Sequence, residues 1–338
     1  MLHTLDRREF LVGGASAMVL GRASVCAAQA QLSRITIGAN PAGTNFNVIA
    51  GGFAKHLQQS LGLPSIVRPY SGSSVYVPLL QRGEITLGIN SSIDSYLSFT
   101  GRAPYPAAMT NLRALMAVYP LGYMYWVRAK SEIYRIEDLR DQRVVINYRG
   151  LVVLDQLNRA ILATGGLTDI DIRGITAAGL PEGARNVLEG RADAVAMGYR
   201  LPLVKQMHVA IAGGLRFLNM GADEARVSEL MPSAWVTTIS PGPSDVGMDG
   251  PTRVAMYDTY LNAGVHVSND DAYKIVASLQ GEWQQLQKTF VLLSSVSVRQ
   301  TVPANNPHPY HACAVAYYRD AGLWTDAHQR NQDRLLTL

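Results

Sequence analysis

The sequence predicts an α/β protein of two lobes hinged about a ligand cleft. Three features carry this. Strands and helices alternate from about residue 34 to about residue 200. A doubled apolar run, "RALMAVYPLGYMYWVRAK", interrupts the alternation around Pro120 and Gly122. After about residue 240 the pattern changes to a Pro/Gly-rich loop, a strand and a long helix. Alternation of this kind marks parallel sheets. The doubled run reads as two strands crossing between lobes, which places strand ends and helix starts around a cleft.

In order, "RITIGA" reads as a buried strand and 46–61 as a helix. "SIVRPY" is a second strand. "SSVYVPLLQRG" has helical spacing, with Pro78 tolerable only in the first turns or as a kink. "EITLGIN" is a third strand. "RIEDLRD" reads as a short helix, "RVVINY" as a strand and 151–165 as a helix closed by Gly165 and Gly166. "IDIRGIT" is a strand, "GLPEGARNVLEGR" a helix with Pro181 near its start, and "ADAVAMG" a strand. "PGPSDVGMDGP" is loop and "MYDTYLNAGVHV" a strand candidate. "DDAYKIVASLQGEWQQLQKTF" reads as one long helix with Asp270 or Asp271 near its cap.

The chain has 338 residues, 48% hydrophobic and 17% charged, enough for two medium domains with a large core. The net charge of +4 is small, and the basic residues form no run. Nucleic-acid or anionic-membrane binding is therefore not expected.

The N-terminus reads as a leader. "LDRREFL" resembles the twin-arginine export signal, with Arg7 and Arg8 ahead of the weakly apolar "LVGGASAMVLG" and the cleavage-like "AAQA". A mature chain starting near Gln31 and a periplasmic location are expected. A lipoprotein reading through Cys26 lacks the usual Leu three residues before the cysteine. Cys313 is then alone in the mature chain, so no internal disulfide is expected.

"GANPAGTNF" is nearly a phosphate loop, but Thr44 stands where the lysine belongs. A helix start binds a carboxylate without lysine, through unpaired amides and the positive end of the helix dipole. Gly38 and Gly43 would let the backbone approach a ligand. A tight turn that binds nothing is the plainer alternative.

Five stretches, in order, resemble the TAXI family of extracytoplasmic solute receptors of TRAP-type transporters. They are "TIGANPAGTNFNVIAGGFAKHL", "SGSSVYVPLLQRGEITLGIN", "NLRALMAVYP" with "MYWVRAKSEIYRIEDLRDQRVVI", "VLEGRADAVAMGYRLP" and "PYHACAVAYYRDAGLW". The resemblance covers nearly the whole mature chain. It implies a type II periplasmic-binding-protein-like fold and lobes that close on a small organic anion. It also implies TRAP-type membrane subunits as partners. Family ligands are commonly amino acids or dicarboxylates such as glutamate or 2-oxoglutarate. The sequence departs from the family at several points. Tyr76 replaces the usual Asn, and Ser91 and Ile93 replace a Gln and an Asp. Leu151, Val152, Val153 and Leu154 replace a small polar cradle, Arg200 replaces a Gly, and Arg149 stands beside the altered loop.

The boundaries expected are a leader over 1–30, lobe one over 31–124 plus 245–338, and lobe two over 125–244. Ligand contacts are expected from Thr44, Asn45 and Phe46 in the first loop. Ser71, Ser73 and Ser74 open the second, and Asn90 and Ser92 follow the third strand. Tyr148, Arg149, Tyr199 and Arg200 serve lobe two. Arg149 and Arg200 would fork onto a carboxylate, with an apolar body against Phe46 and the Leu151–Val153 stretch. For each serine the alternative is helix capping, and for each arginine a solvated surface charge.

No nucleophile elbow, zinc-protease motif or dinucleotide fingerprint is present. No enzyme activity, cofactor or metal is therefore expected, His308 and His311 being read as structural. A monomer is expected. The alternative roles are the binding protein of an ABC importer or the ligand-binding partner of a periplasmic sensor.

Overall fold

A computed structural model describes residues 31–243 and 245–338. The expected leader, with Arg7, Arg8 and Cys26, lies outside the described residues. The first lobe opens with β1 (Ile35–Ala39), α1 (Asn45–Leu61), β2 (Ser65–Pro69), α2 (Ser73–Arg82), β3 (Leu87–Ser91) and α3 (Ser92–Phe99). β4 (Leu112–Arg128) crosses to the second lobe. There follow β5 (Arg143–Tyr148), α4 (Val152–Thr164), β6 (Arg173–Ala177), α5 (Leu180–Leu188), β7 (Ala194–Gly198) and α6 (Pro202–Ala210). β8 (Leu215–Phe217), α7 (Ala225–Leu230) and β9 (Ala234–Ile239) complete that lobe. β10 (Thr252–Gly264) returns to the first lobe, which ends with α8 (Asn269–Gly281), α9 (Trp283–Thr289), α10 (Ala312–Asp320) and α11 (Asp326–Leu336).

One sheet runs through both lobes in the order β2-β1-β3-β10-β4-β7-β5-β6, with β9 beside β10 and β8 beside β4. β1 is parallel to β2 and β3, and β5 is parallel to β6 and β7. β10 pairs with β9 over 252–257 and with β3 over 259–263, while β4 accompanies it on its other side. β10 therefore changes lobes near Asp258. There its register against β4 shifts, between the Asp258–Pro120 pair and the Tyr260–Ala117 pair.

Local chemistry explains why these segments form. β3 lies in the middle of the first lobe's sheet, and all five of its residues are buried. α1 buries Ile49, Ala50, Phe53, Ala54 and Leu57, the helical spacing of one face. Burying a side chain such as Phe53 or Leu57 contributes roughly 1.5–3 kcal/mol. Thr44 caps the start of α1, and Gly62 closes its end with φ 68°.

Two expectations are corrected. The doubled apolar run is one 17-residue strand, not two. Pro120 lies outside the ladder with β7, which joins β4 only from Tyr123 onward, and stands beside the register shift against β10. β10 makes the second crossing at Asp258, since β9 pairs with its first half and β3 with its second. The expected long helix is two, α8 and α9, divided at Glu282. Ser268 caps α8, its hydroxyl accepting the amide of Asp271, and Asp270 and Asp271 stand in the first turn, near the cap as expected.

Among the described residues no helix is long and apolar enough to cross a membrane. The two histidines have separate structural tasks. His308 is fully buried with Nε2 2.7 Å from Asn262 Oδ1, and burial pushes its pKa down to about 3. His311 caps α10, its Nδ1 accepting from Cys313 N, and its Nε2 lies 3.2 Å from the carbonyl of Val267. No cluster of three or more His, Cys, Asp or Glu suited to a metal occurs among the described residues.

Candidate functional site

The starts of α1 to α6 meet in one pocket between the lobes. The first lobe contributes Asn40, Thr44, Asn45 and Phe46 from the β1–α1 turn, Ser73 from α2, and Ser91 and Asp94 around the start of α3. The crossing strands form the floor. Leu121 and Tyr123 come from β4 and Tyr257 from β10, the two tyrosine rings standing 6.3 Å apart. The second lobe contributes Leu151, Leu154, Leu180 and Leu201 with Gly198. One side is thus polar and the other a wall of leucines.

Each wall follows from a local rule. Gly43 turns the chain with φ 84°, a left-handed conformation that favours glycine. Thr44 then caps α1 by accepting the Asn47 amide while donating to the Pro41 carbonyl at 2.7 Å. Leu180 and Leu201 each precede a proline in the first helical turn, where its missing amide costs nothing. These prolines pin the starts of α5 and α6 at the strand ends and aim both leucines into the pocket.

The centre of the polar side is Asp94, only 4% exposed. Its Oδ2 accepts hydrogen bonds from Ser73 Oγ at 2.8 Å and Ser91 Oγ at 2.7 Å. Its Oδ1 accepts one from Tyr105 OH at 2.8 Å. Burial raises the pKa of the carboxyl, and the hydroxyl donors oppose that rise. Asn40 and Asn45, both almost fully buried in the same wall, have side-chain oxygens with no partner.

The expected site residues divide clearly. Thr44, Asn45, Phe46 and Ser73 line the pocket, as does Leu151 of the expected apolar wall. Ser71 is exposed, and Ser74 is half-buried with an unpartnered hydroxyl. Asn90 is core: it donates to Ser95 Oγ at 2.9 Å and accepts from Asn262 at 2.7 Å. Ser92 donates to the Ser233 carbonyl at 2.9 Å, on another face. Tyr148 is buried beneath α5, its hydroxyl on the Ala196 carbonyl at 3.2 Å. Gly38 makes room for the side chains of Ile85 and Tyr76 rather than for a ligand.

The two arginines lie elsewhere. Arg149 is exposed and does not line the pocket. Tyr199 and Arg200 line a neighbouring cavity that shares Asn45 and Leu121 with the first. Arg200 forks onto Asp245, Nε to Oδ1 at 2.9 Å and a terminal nitrogen to Oδ2 at 3.0 Å. Its charge is therefore already satisfied. Among the described residues no Lys, Arg or His lines the leucine-walled pocket.

The pocket residues that sequence reasoning passed over include Asp94, Leu121, Tyr123, Leu180, Leu201 and Tyr257. Two local signals pointed to some of them. Leu180–Pro181 and Leu201–Pro202 mark helix starts after strands. Ser91-x-x-Asp94 is a helix-start pattern directly after β3. The floor residues had no such signal, because their facing depends on how β4 and β10 cross.

The lobes touch over the pocket. The Leu203 amide of the second lobe lies 3.4 Å from the Gly43 carbonyl of the first. Gln156 Nε2 donates to the Ala103 carbonyl at 2.8 Å. Gly72 abuts Gly150. The structure is the closed arrangement.

A profile of the NMT1-like family matches residues 37–322. No curated protein is significantly similar in sequence. A solved periplasmic transporter aligns with a TM-score of 0.53 at 14% identity, over 89% of this chain and 95% of that one. A protein of Bordetella bronchiseptica RB50 aligns with a TM-score of 0.50 at 13% identity, over 90% and 89%. The alkanesulfonate-binding protein SsuA from Xanthomonas axonopodis pv. citri, bound to MOPS, has a TM-score of 0.45 at 17% identity, over 90% and 95%. The first two likenesses establish the two-lobed periplasmic-binding-protein fold.

Proposed function

We propose that this chain, which belongs to the NMT1-like family, is an extracytoplasmic receptor that captures a small organic solute and delivers it to a membrane transporter. The observation that carries the reading is the leucine-walled pocket that both lobes line and close over. A pocket built from two lobes exists only when they meet, so binding and closure are one event. Its contents suit binding rather than catalysis: capped helix starts, leucines and a carboxyl already held by hydroxyls. The periplasm and a cleaved leader fit this role.

The ligand has an apolar body against Phe46 and the leucines. The expected anion leaned on Arg149 and Arg200; without them, only the helix starts favour negative charge. The partner we favour is an ABC-type importer. The TRAP reading leaned on resemblance to the TAXI family, whereas the family matched is the NMT1-like one. An adjacent gene for an ATPase subunit would support this choice, and one for a multi-span TRAP subunit would reverse it.

The test is a thermal-shift screen of small organic solutes followed by solution scattering. A ligand at 100 times its dissociation constant adds about 2.7 kcal/mol of stability, and the bound protein should be at least as compact as the free one. Saturating ligand with an expanded scattering curve would count against closure. No stabilisation by any solute would count against the receptor.

A further inference from the structure

The polar side of the pocket offers acceptors, and its one ionisable carboxyl has no cation. None of the ion pairs among the described residues involves Asp94. A carboxylate has about four lone-pair positions. Ser73 and Ser91 occupy Oδ2 and Tyr105 occupies one position on Oδ1. One position on Oδ1 is left. The unpartnered side-chain oxygens of Asn40 and Asn45 belong to the same wall. Leaving buried acceptors unmatched is expensive, and a buried charge without a counter-charge more so.

Helix capping accounts for only part of this. Ser91 Oγ accepts the Asp94 amide at 2.9 Å and donates to the Asp94 carboxylate, which ties the start of α3. Ser91 itself is the cap, and Asp94, three residues on, adds a negative charge to the first turn; neither role calls for Ser73 or Tyr105. Capping does not explain a carboxyl turned into the ligand pocket and furnished with two further hydroxyls. The surrounding tyrosines, Tyr76 and Tyr257, bring no positive charge.

We propose that the solute is an organic cation whose protonated amine pairs with Asp94 and whose hydrocarbon body lies against the leucine wall. This rests on the receptor reading above and deepens it by naming the charge of the ligand. The ammonium completes Oδ1 and reaches the amide oxygens of Asn40 and Asn45. Leu151, Leu154, Leu180 and Leu201 exclude water from the pair, which strengthens it. Burial raises the carboxyl pKa; an ammonium beside it lowers it again, so the amine holds the pair ionised.

The experiment is calorimetry at neutral pH with two matched series, primary amines of two to eight carbons and carboxylates on the same skeletons. The amines are expected to bind and the carboxylates not to. Asp94→Asn, which keeps the shape and removes the charge, is expected to weaken the best amine at least tenfold, with circular dichroism showing a folded protein. The preference between the series is read on the unaltered protein, so it remains decisive if the variant fails to fold. Carboxylates binding in place of amines would overturn the inference and leave the receptor intact. Equal amine affinity in Asp94→Asn would also overturn it. Binding by neither series would overturn the inference and count against the receptor as well.

Discussion

A β-carbon placed on Gly72 would stand 1.9 Å from the carbonyl oxygen of Gly150. One on Gly150 would stand 2.8 Å from the backbone and hydroxyl of Ser71. The start of α2 in one lobe and the start of α4 in the other therefore meet backbone to backbone. The backbone at Gly72 is extended, with φ 172°, so any residue could adopt it. Glycine is required there only by the opposite lobe.

Gly72→Ala is thus expected to fold and to keep the stability of the free protein, but to be held partly open. Affinity for the solute should fall tenfold or more, equivalent to about 1.4 kcal/mol. Calorimetry and scattering on the same samples check this. Full affinity with a fully compact bound form would show that the lobes do not need this contact.

Gln156→Ala removes the Gln156 Nε2 to Ala103 carbonyl bond between the lobes. A net hydrogen bond contributes about 0.5–1.5 kcal/mol. Solute dissociation should accelerate about two- to tenfold, with little change in melting temperature. Stopped-flow release measures it, and an unchanged rate would make the bond incidental to closure.

Arg200→Ala separates two readings of one residue. The fork onto Asp245 holds the loop before β10, where Asp245 Oδ2 also accepts the Gly242 amide at 2.9 Å. The variant should lose about 1 kcal/mol of stability, and Arg200→Lys should restore little of it, since an ammonium cannot fork. Solute affinity should stay within about twofold. A tenfold loss at unchanged fold would return Arg200 to the binding site.

Asp258 is mostly buried at the lobe crossing, and burial raises its pKa to about 6. The unfolded chain releases this proton near the ordinary carboxyl value of 3.8, so the folded state holds more protons between those values. The contribution is present below about pH 4 and is lost as pH rises through about 6. The loss is up to about 3 kcal/mol. Asp258→Asn should be more stable than the parent at pH 7, and the gap should close by pH 4. Urea unfolding at several pH values tests it, and a gap independent of pH would refute it.

Much of the architecture was legible from neighbours in the chain. The strand–helix alternation, the apolar run of β4 and the first-loop pocket residues Thr44, Asn45 and Phe46 follow from periodicity, capping and turn chemistry, which act over a few residues. The site's charge was not legible. Arg200 looked free until Asp245, 45 residues away, took both of its nitrogens. Asp94 drew no notice in the sequence, because Ser73 and Tyr105 meet on it only across the fold. Local sequence set where helices begin; tertiary contact decided which charges face the solute, because pairing and burial depend on segments that only folding brings together.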